Sequence, residues 1–162
     1  MTRERGHGQR QAARLAAVQA IYQMELTGDD AESVAQEFCQ HRFGELAAGE
    51  TEPDEGFFSD LVRGVPHHQV EIDRSIAESL SENWKLERID SILRAILRAG
   101  IYELVARKDV PAKVVIDEYL DIAHAFFAGE EPAFVNALLD RVAHRKRAIE
   151  FGESLPDDEL RF

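Results

Sequence analysis

Residues 86–106, LERIDSILRAILRAGIYELVA, decide the fold class. Ile89, Ile92, Leu93, Ile96, Leu97, Ile101 and Leu104 recur at intervals of three and four, the period of an α-helix rather than the alternation of a strand. At ~100° per residue, these side chains cover more than half of the helix circumference. A surface helix carries a narrower stripe, so this segment predicts a central helix touched by neighbours on several sides. Glu103 projects into the same arc, where an unpaired carboxylate is costly. It needs an arginine or backbone donors from another element, because Arg94 and Arg98 lie toward the opposite side of the helix.

Helical periodicity continues on both sides of this segment. Over residues 9–27, Leu15, Val18, Tyr22 and Leu26 form an apolar stripe, while Ala12, Ala13, Ala16, Ala17 and Ala20 add propensity and permit close packing. Gly28 and Asp29-Asp30 end that helix and start a second, with Val34, Ala35 and Phe38 at helical spacing. Residues 44–56 read as a polar loop. A third helix is expected from Asp54 or Glu55 to about Leu80, kinked or divided in two by Gly64 and Pro66. Pro111 opens a helix over about 112–127 with Val115, Tyr119, Ile122 and Phe126 inward. Gly129 breaks it, and Pro132 opens another with Val135, Leu138, Leu139 and Val142. The expectation is an all-α protein, one compact domain of about six or seven helices, without solenoid repeats.

The 162 residues carry 44% apolar side chains, enough for one sizeable core. No apolar run approaches the ~20 residues needed to cross a bilayer. The N-terminal MTRERGHGQRQAAR lacks the apolar stretch of a secretory signal. Cys39 is the single cysteine, which excludes an internal disulfide and fits a reducing compartment, so a cytoplasmic protein is expected. The six histidines show no metal-ligand spacing, and neither a glycine-rich phosphate cradle nor a GxSxG elbow is present. Lys113, Asp117 and Asp121 form an i, i+4 row that reads either as an acid/base set or as a solvated face. Nothing here calls for catalysis, a metal or a cofactor.

A net charge of −12 argues against a sequence-blind polyanion binder. The charge is uneven, however: +3 over residues 1–14, −10 over 15–60 and −5 over the remainder. A second basic cluster, Arg141 to Arg147, follows late in the chain. It reads either as an extended nucleic-acid path or as cations favouring the negative end of a helix dipole.

Five segments, in order, carry a family resemblance: RLAAVQAIYQMELTG (14–28), FFSDLVRGV (57–65), ILRAILRAGIYEL (92–104), DVPAKVVIDEYLDIA (109–123) and FVNALLD (134–140). Together they resemble the NusB family of transcription antitermination factors. The resemblance implies two small helical bundles, and a heterodimer with NusE, a small-subunit ribosomal protein. That heterodimer would bind boxA RNA in ribosomal RNA leader transcripts and join other Nus factors on RNA polymerase. No enzyme activity is implied. The corresponding organisation is a flexible basic arm (1–9), a helical domain (10–148) and an acidic, loosely ordered tail (149–162).

Matched residue by residue, the resemblance implies RNA contacts at Arg5, Arg10 and Arg14. Arg10 and Arg14 stand one turn apart, an arrangement suited to tracking a backbone, and fewer arginines here imply a shallower salt dependence than in arginine-dense relatives. Tyr22 matches a tyrosine that stacks on a base, although periodicity places it in the apolar stripe. Phe134 stands either for stacking, worth roughly 1–3 kcal/mol per base, or for core packing above Leu138. Glu130 and Asn136 belong to the same loop and helix start. Ala133 replaces a lysine and Ala112 an aromatic found in relatives, implying stronger dependence on NusE and a differently arranged contact to it. The NusE surface is expected on the fourth and fifth helices at Glu87, Arg94, Lys113, Asp117 and Glu118, acidic overall as suits a basic partner.

Two other classes stand beside this reading. One is an acidic helical interaction scaffold without RNA binding. The other is a stand-alone relative of the NusB-like domains fused to RNA cytosine methyltransferases, for which the end at Phe162 leaves no room for a methyl-donor domain. Self-association of the free protein as a homodimer is left open, and no membrane contact is expected.

Overall fold

The computed structural model describes residues 2–45, 50–80 and 85–153, with side chains at 8–44, 50–80 and 85–153. Seven α-helices and no strand occur among them: α1 (Thr2–Thr27), α2 (Ala31–Glu37), α3 (Glu55–His67), α4 (Gln69–Ser79), α5 (Ser91–Ala106), α6 (Ala112–Phe126) and α7 (Glu131–Lys146). They divide into two compact units, one ending at His67 and the other beginning at His68.

In the first unit, α1 begins well upstream of residue 9, where the apolar pattern starts. Gly28 ends it in the left-handed region (φ 77°), donating its N–H to the Met24 carbonyl at 2.9 Å. Asp30 caps α2 by accepting the Ser33 N–H at 2.7 Å, a bond that holds its carboxyl below the ordinary range. The chain then widens into a π-helical turn, Phe38–Arg42. Asp54 caps α3 through the Phe57 N–H (3.0 Å) and donates its own N–H to the Gln9 carbonyl of α1 (3.0 Å).

The packing face of α1 differs from the expected stripe. Leu15 is 37% and Leu26 61% exposed, whereas Ala13, Ala17, Val18, Ala20 and Ile21 are buried. Small residues let α3 approach closely and seat Phe57, Phe58, Leu61, Val62 and Val65, all buried, so the large side chains come from α3. Phe58 also stacks on Phe38 (centroids 5.4 Å apart) and meets Phe43 edge-on (4.9 Å), a cluster that anchors the π turn.

In the second unit, α5 packs against α4, α6 and α7, as its broad apolar arc predicts. It starts at Ser91, later than expected, because Asp90 caps it by accepting the N–H groups of Ile92 and Leu93 at 2.9 and 3.3 Å. A short 3₁₀ turn, Leu86–Arg88, precedes it. The expected helix over 54–80 is two helices, α3 and α4. Pro66 sits in the last turn of α3, where it forfeits a single hydrogen bond, and the break follows at His68. Gly100 explains the tight contact of α5 with its neighbours: a Cβ there would lie 3.1 Å from both Leu139 methyls and 3.4 Å from the Tyr119 ring.

Glu103 is fully buried and accepts a hydrogen bond from the Tyr119 hydroxyl at 2.9 Å, so a phenol meets the need for a donor from another element. Arg98, also buried, reaches Asp73 of α4 with two hydrogen bonds of 2.9 and 3.0 Å, a bidentate pair. After α7 the chain forms a further 3₁₀ turn, Ala148–Phe151. The tail expected over 149–162 lies outside the described residues from 154 onward.

Candidate nucleic-acid and partner interface

On α1, the side chain of Arg5 lies outside the described residues. Arg10 is half-buried, its guanidinium carbon 4.8 Å from the centroid of the Phe57 ring. Arg14 approaches the same ring at 5.0 Å but is only 2% exposed. This corrects the expectation of a solvated pair tracking phosphates. The i, i+4 spacing does place both arginines on one face, yet that face turns toward α3. The arginine stem packs as hydrocarbon while the guanidinium rests on an aromatic face, which offsets part of its dehydration. Tyr22 is half-buried, between the two environments expected for it.

At the start of α7, Pro132 is buried and fixes the first turn. Glu130 is exposed, and its carbonyl accepts the Phe134 N–H at 3.1 Å. Phe134 is half-buried. Asn136 is exposed and makes no side-chain hydrogen bond among the described residues, so it does not tie down the helix end. These three residues therefore share one helix start, within the second unit.

The partner candidates separate into two groups. Glu87, Lys113 and Asp117 are exposed. Arg94 is half-buried and donates to the Leu86 and Ile89 carbonyls at 3.0 and 2.8 Å and to the Ser91 hydroxyl, so it fastens the 3₁₀ turn to α5 rather than facing a partner. Glu118 is 6% exposed and lies inward on α6, a second correction: i, i+1 from Asp117 is a turn of about 100°, enough to pass from solvent to core. Ala112 is also buried.

The late basic cluster is occupied with backbone. Arg141 donates to the Ser79 carbonyl at 2.6 Å and Arg145 to the Ser75 carbonyl at 3.4 Å, both in the last turn or two of α4. Arg147, 5% exposed, donates to three carbonyls, those of Leu104 (2.7 Å), Val110 (2.8 Å) and Arg107 (2.9 Å), and pairs with Glu150 at 2.6 Å. Sequence reasoning missed both Phe57 and Glu150. The only signal for Glu150 was its i, i+3 spacing from Arg147, and Phe57 stood only as the first residue of the 57–65 motif.

Among the described residues, no group of three or more His, Cys, Asp or Glu side chains is placed to hold a metal ion. Burial and then the Glu55 carboxylate push the Cys39 thiol up, which makes it a weak nucleophile. No helix of the described residues is long and apolar enough to cross a membrane.

Residues 11–144 match the model of the NusB family. The transcription antitermination protein NusB of Maricaulis maris is 53% identical over 146 residues, covering 88% of this chain and 90% of that protein. Its counterpart from Caulobacter vibrioides is 51% identical, covering 85% and 94%. Among solved structures, T. maritima NusB superposes with a TM-score of 0.71 at 29% identity, over 94% of this chain and 97% of that one. A crystal structure of antitermination factors NusB and NusE in complex with dsRNA has a TM-score of 0.69 at 23% identity, over 83% and 95%, a likeness of fold alone.

Proposed function

The chain belongs to the NusB family, and from that premise we propose that it acts as a transcription antitermination factor that pairs with NusE, binds boxA RNA in ribosomal RNA leaders and joins the antitermination complex on RNA polymerase. The observation that carries this reading is the 53% identity, over 88% of the chain, to a relative named for that activity. The chain is not an enzyme: the relatives it matches are named for transcription antitermination. Its place of action is the cytoplasm, where transcripts and ribosomal proteins meet.

In the first unit, RNA contacts fall to Arg5, Arg10 and Tyr22. In the second they fall to Glu130, Phe134 and Asn136. Arg10 supports this as a half-buried side chain whose guanidinium rests on the Phe57 ring, and Phe134 as a residue that is not fully enclosed. Arg14 serves RNA binding only indirectly, by packing against the same Phe57 ring as Arg10. The partner surface is Glu87, Lys113 and Asp117. With most of the body acidic, affinity for RNA rests on few cations and on the basic partner.

The experiment titrates boxA-like and scrambled RNA against the protein, with and without NusE, at several salt concentrations. Preference for boxA in the presence of NusE is the expected result; equal binding of both RNAs in both states defeats the reading. Arg10→Ala is expected to weaken every RNA and to flatten the log–log salt slope by about 0.7 for each phosphate that is no longer neutralised.

A further inference from the structure

Two helix ends meet at the corner between α5 and α6, and each leaves backbone groups without partners inside its own helix. The N-cap of α6 is Pro111, which provides no side-chain acceptor. The missing acceptor comes from Glu150, which takes the Ala112 N–H at 2.9 Å across 38 residues of chain. The carbonyls at and after the end of α5, from Leu104, Arg107 and Val110, go to Arg147. Arg147 and Glu150 also bond each other at 2.6 Å. One ion pair therefore closes both ends, with the cation at the negative end of the α5 dipole and the anion at the positive end of α6. Burial pushes the Glu150 carboxyl up, but the Ala112 N–H and the Arg147 guanidinium outweigh it and hold the group below the ordinary range. The segment that carries the pair is itself fastened to α7. His144 stacks on Phe151, with centroids 3.9 Å apart, and its Nδ1 lies 2.8 Å from a Glu153 carboxylate oxygen.

The clasp bears on function because Lys113 is the second residue of α6 and Asp117 stands one turn further on. Their positions follow from the corner that Arg147 and Glu150 close. We propose that Arg147 and Glu150 are positioning residues for partner docking: they touch no partner themselves, but hold the first turns of α6 so that Lys113 and Asp117 are presented in a fixed arrangement. This rests on the partner surface proposed above. Without the clasp, docking would have to order the corner at its own expense, and affinity would fall accordingly.

The test titrates NusE against the full chain and its Glu150→Ala, Glu150→Gln and Arg147→Lys variants, at a temperature where circular dichroism shows each to be folded. Glu150→Ala is expected to weaken NusE binding about fivefold. It should also speed amide exchange at Ala112 and its neighbours. Glu150→Gln keeps an oxygen for the Ala112 N–H and is expected to recover most of the affinity. Arg147→Lys keeps the charge but not the fork that serves several carbonyls, and is expected to weaken binding. Unchanged NusE affinity in both Glu150→Ala and Arg147→Lys overturns the inference, since a clasp that only stabilises the fold would give that result. A parent chain that does not bind NusE overturns the functional reading and the positioning role with it. If the parent binds and Lys113→Glu and Asp117→Lys bind equally well, the surface is wrong and the inference falls on that ground instead.

Discussion

Among the described residues, the first unit buries alanines, phenylalanines and branched aliphatics with one charge, Arg14, whereas the second buries Ser75, Ser79, Arg98, Glu103, Glu118 and Arg147 beside its apolar core. The first is held by fit, with small residues of α1 receiving large ones of α3. The second adds aimed contacts: Arg98 to Asp73, Tyr119 to Glu103, and Arg147 to three carbonyls. Fit depends on volume and is forgiving of chemistry; an aimed contact depends on donor and acceptor and is indifferent to volume. The two units should therefore respond in opposite ways to the same kind of substitution.

The largest contrast comes from paired swaps, read by denaturant unfolding. Leu61, fully buried in α3, is expected to cost about 3 kcal/mol as Leu61→Ala but only about 1 kcal/mol as Leu61→Met, because volume is nearly kept. Arg98→Met also roughly keeps volume, yet it is expected to cost about 2 kcal/mol, since Asp73 is deprived of both hydrogen bonds of a charged pair. Equal tolerance of methionine at both positions would erase the distinction. Next in size, Tyr119→Phe removes a single oxygen and no packing, and is expected to destabilise by about 1–2 kcal/mol because the buried Glu103 no longer has that donor.

Gly100→Ala tests fit inside the second unit. Replacing helical glycine gains about 1 kcal/mol of propensity, while a methyl 3.1 Å from Leu139 costs about 1–3 kcal/mol, so a net loss of about 1 kcal/mol is expected from thermal or denaturant unfolding. The smallest effect is one of pH. Because the folded carboxyl of Glu150 titrates below its ordinary value, its stabilisation is complete above that ordinary value and disappears as pH falls through the lowered one. The parent should therefore be more stable than Glu150→Gln above about pH 4.5, and the gap should close as acid protonates Glu150. Equal stability of the two at pH 7 would mean that shape, not charge, sets the clasp.

The same contrast explains what could be read from the chain. The second unit's central helix announced itself through Ile92, Ile96, Leu97, Ile101 and Leu104, and the following helices open close to Pro111 and Pro132. The Asp90 cap was passed over in favour of a start near Leu86. The α1 face did not, because a stripe ranked by hydrophobicity picks Leu15 and Leu26 over the alanines that α3 selects for their size. Charge was the weaker guide. Arg14, Glu118 and Arg147 are all ionisable and all buried, since surroundings supplied by other elements, invisible in a one-dimensional pattern, decide where such a side chain can rest. Glu103 could be recognised as needing a donor because its neighbours in the helix are apolar; the tyrosine that supplies it could not. Of the RNA candidates, the helix start at Glu130, Phe134 and Asn136 was legible as a group, while the surface reading of Arg14 failed for want of Phe57.

The hydrogen bond from Ala112 to Glu150 has a consequence for the order in which the protein is made. A nascent chain emerges from its N-terminus, and most of the packing of α6 is against α5, which precedes it, or α7, which follows at once. Its first turn, by contrast, waits for a residue 38 positions later. Every chain paused between the end of α6 and residue 150 carries that helix with an uncapped beginning. The corner set beside Lys113 is thus finished later than the helices it joins. Ordering of that first turn therefore waits on residue 150, however early the packing of α5, α6 and α7 has begun.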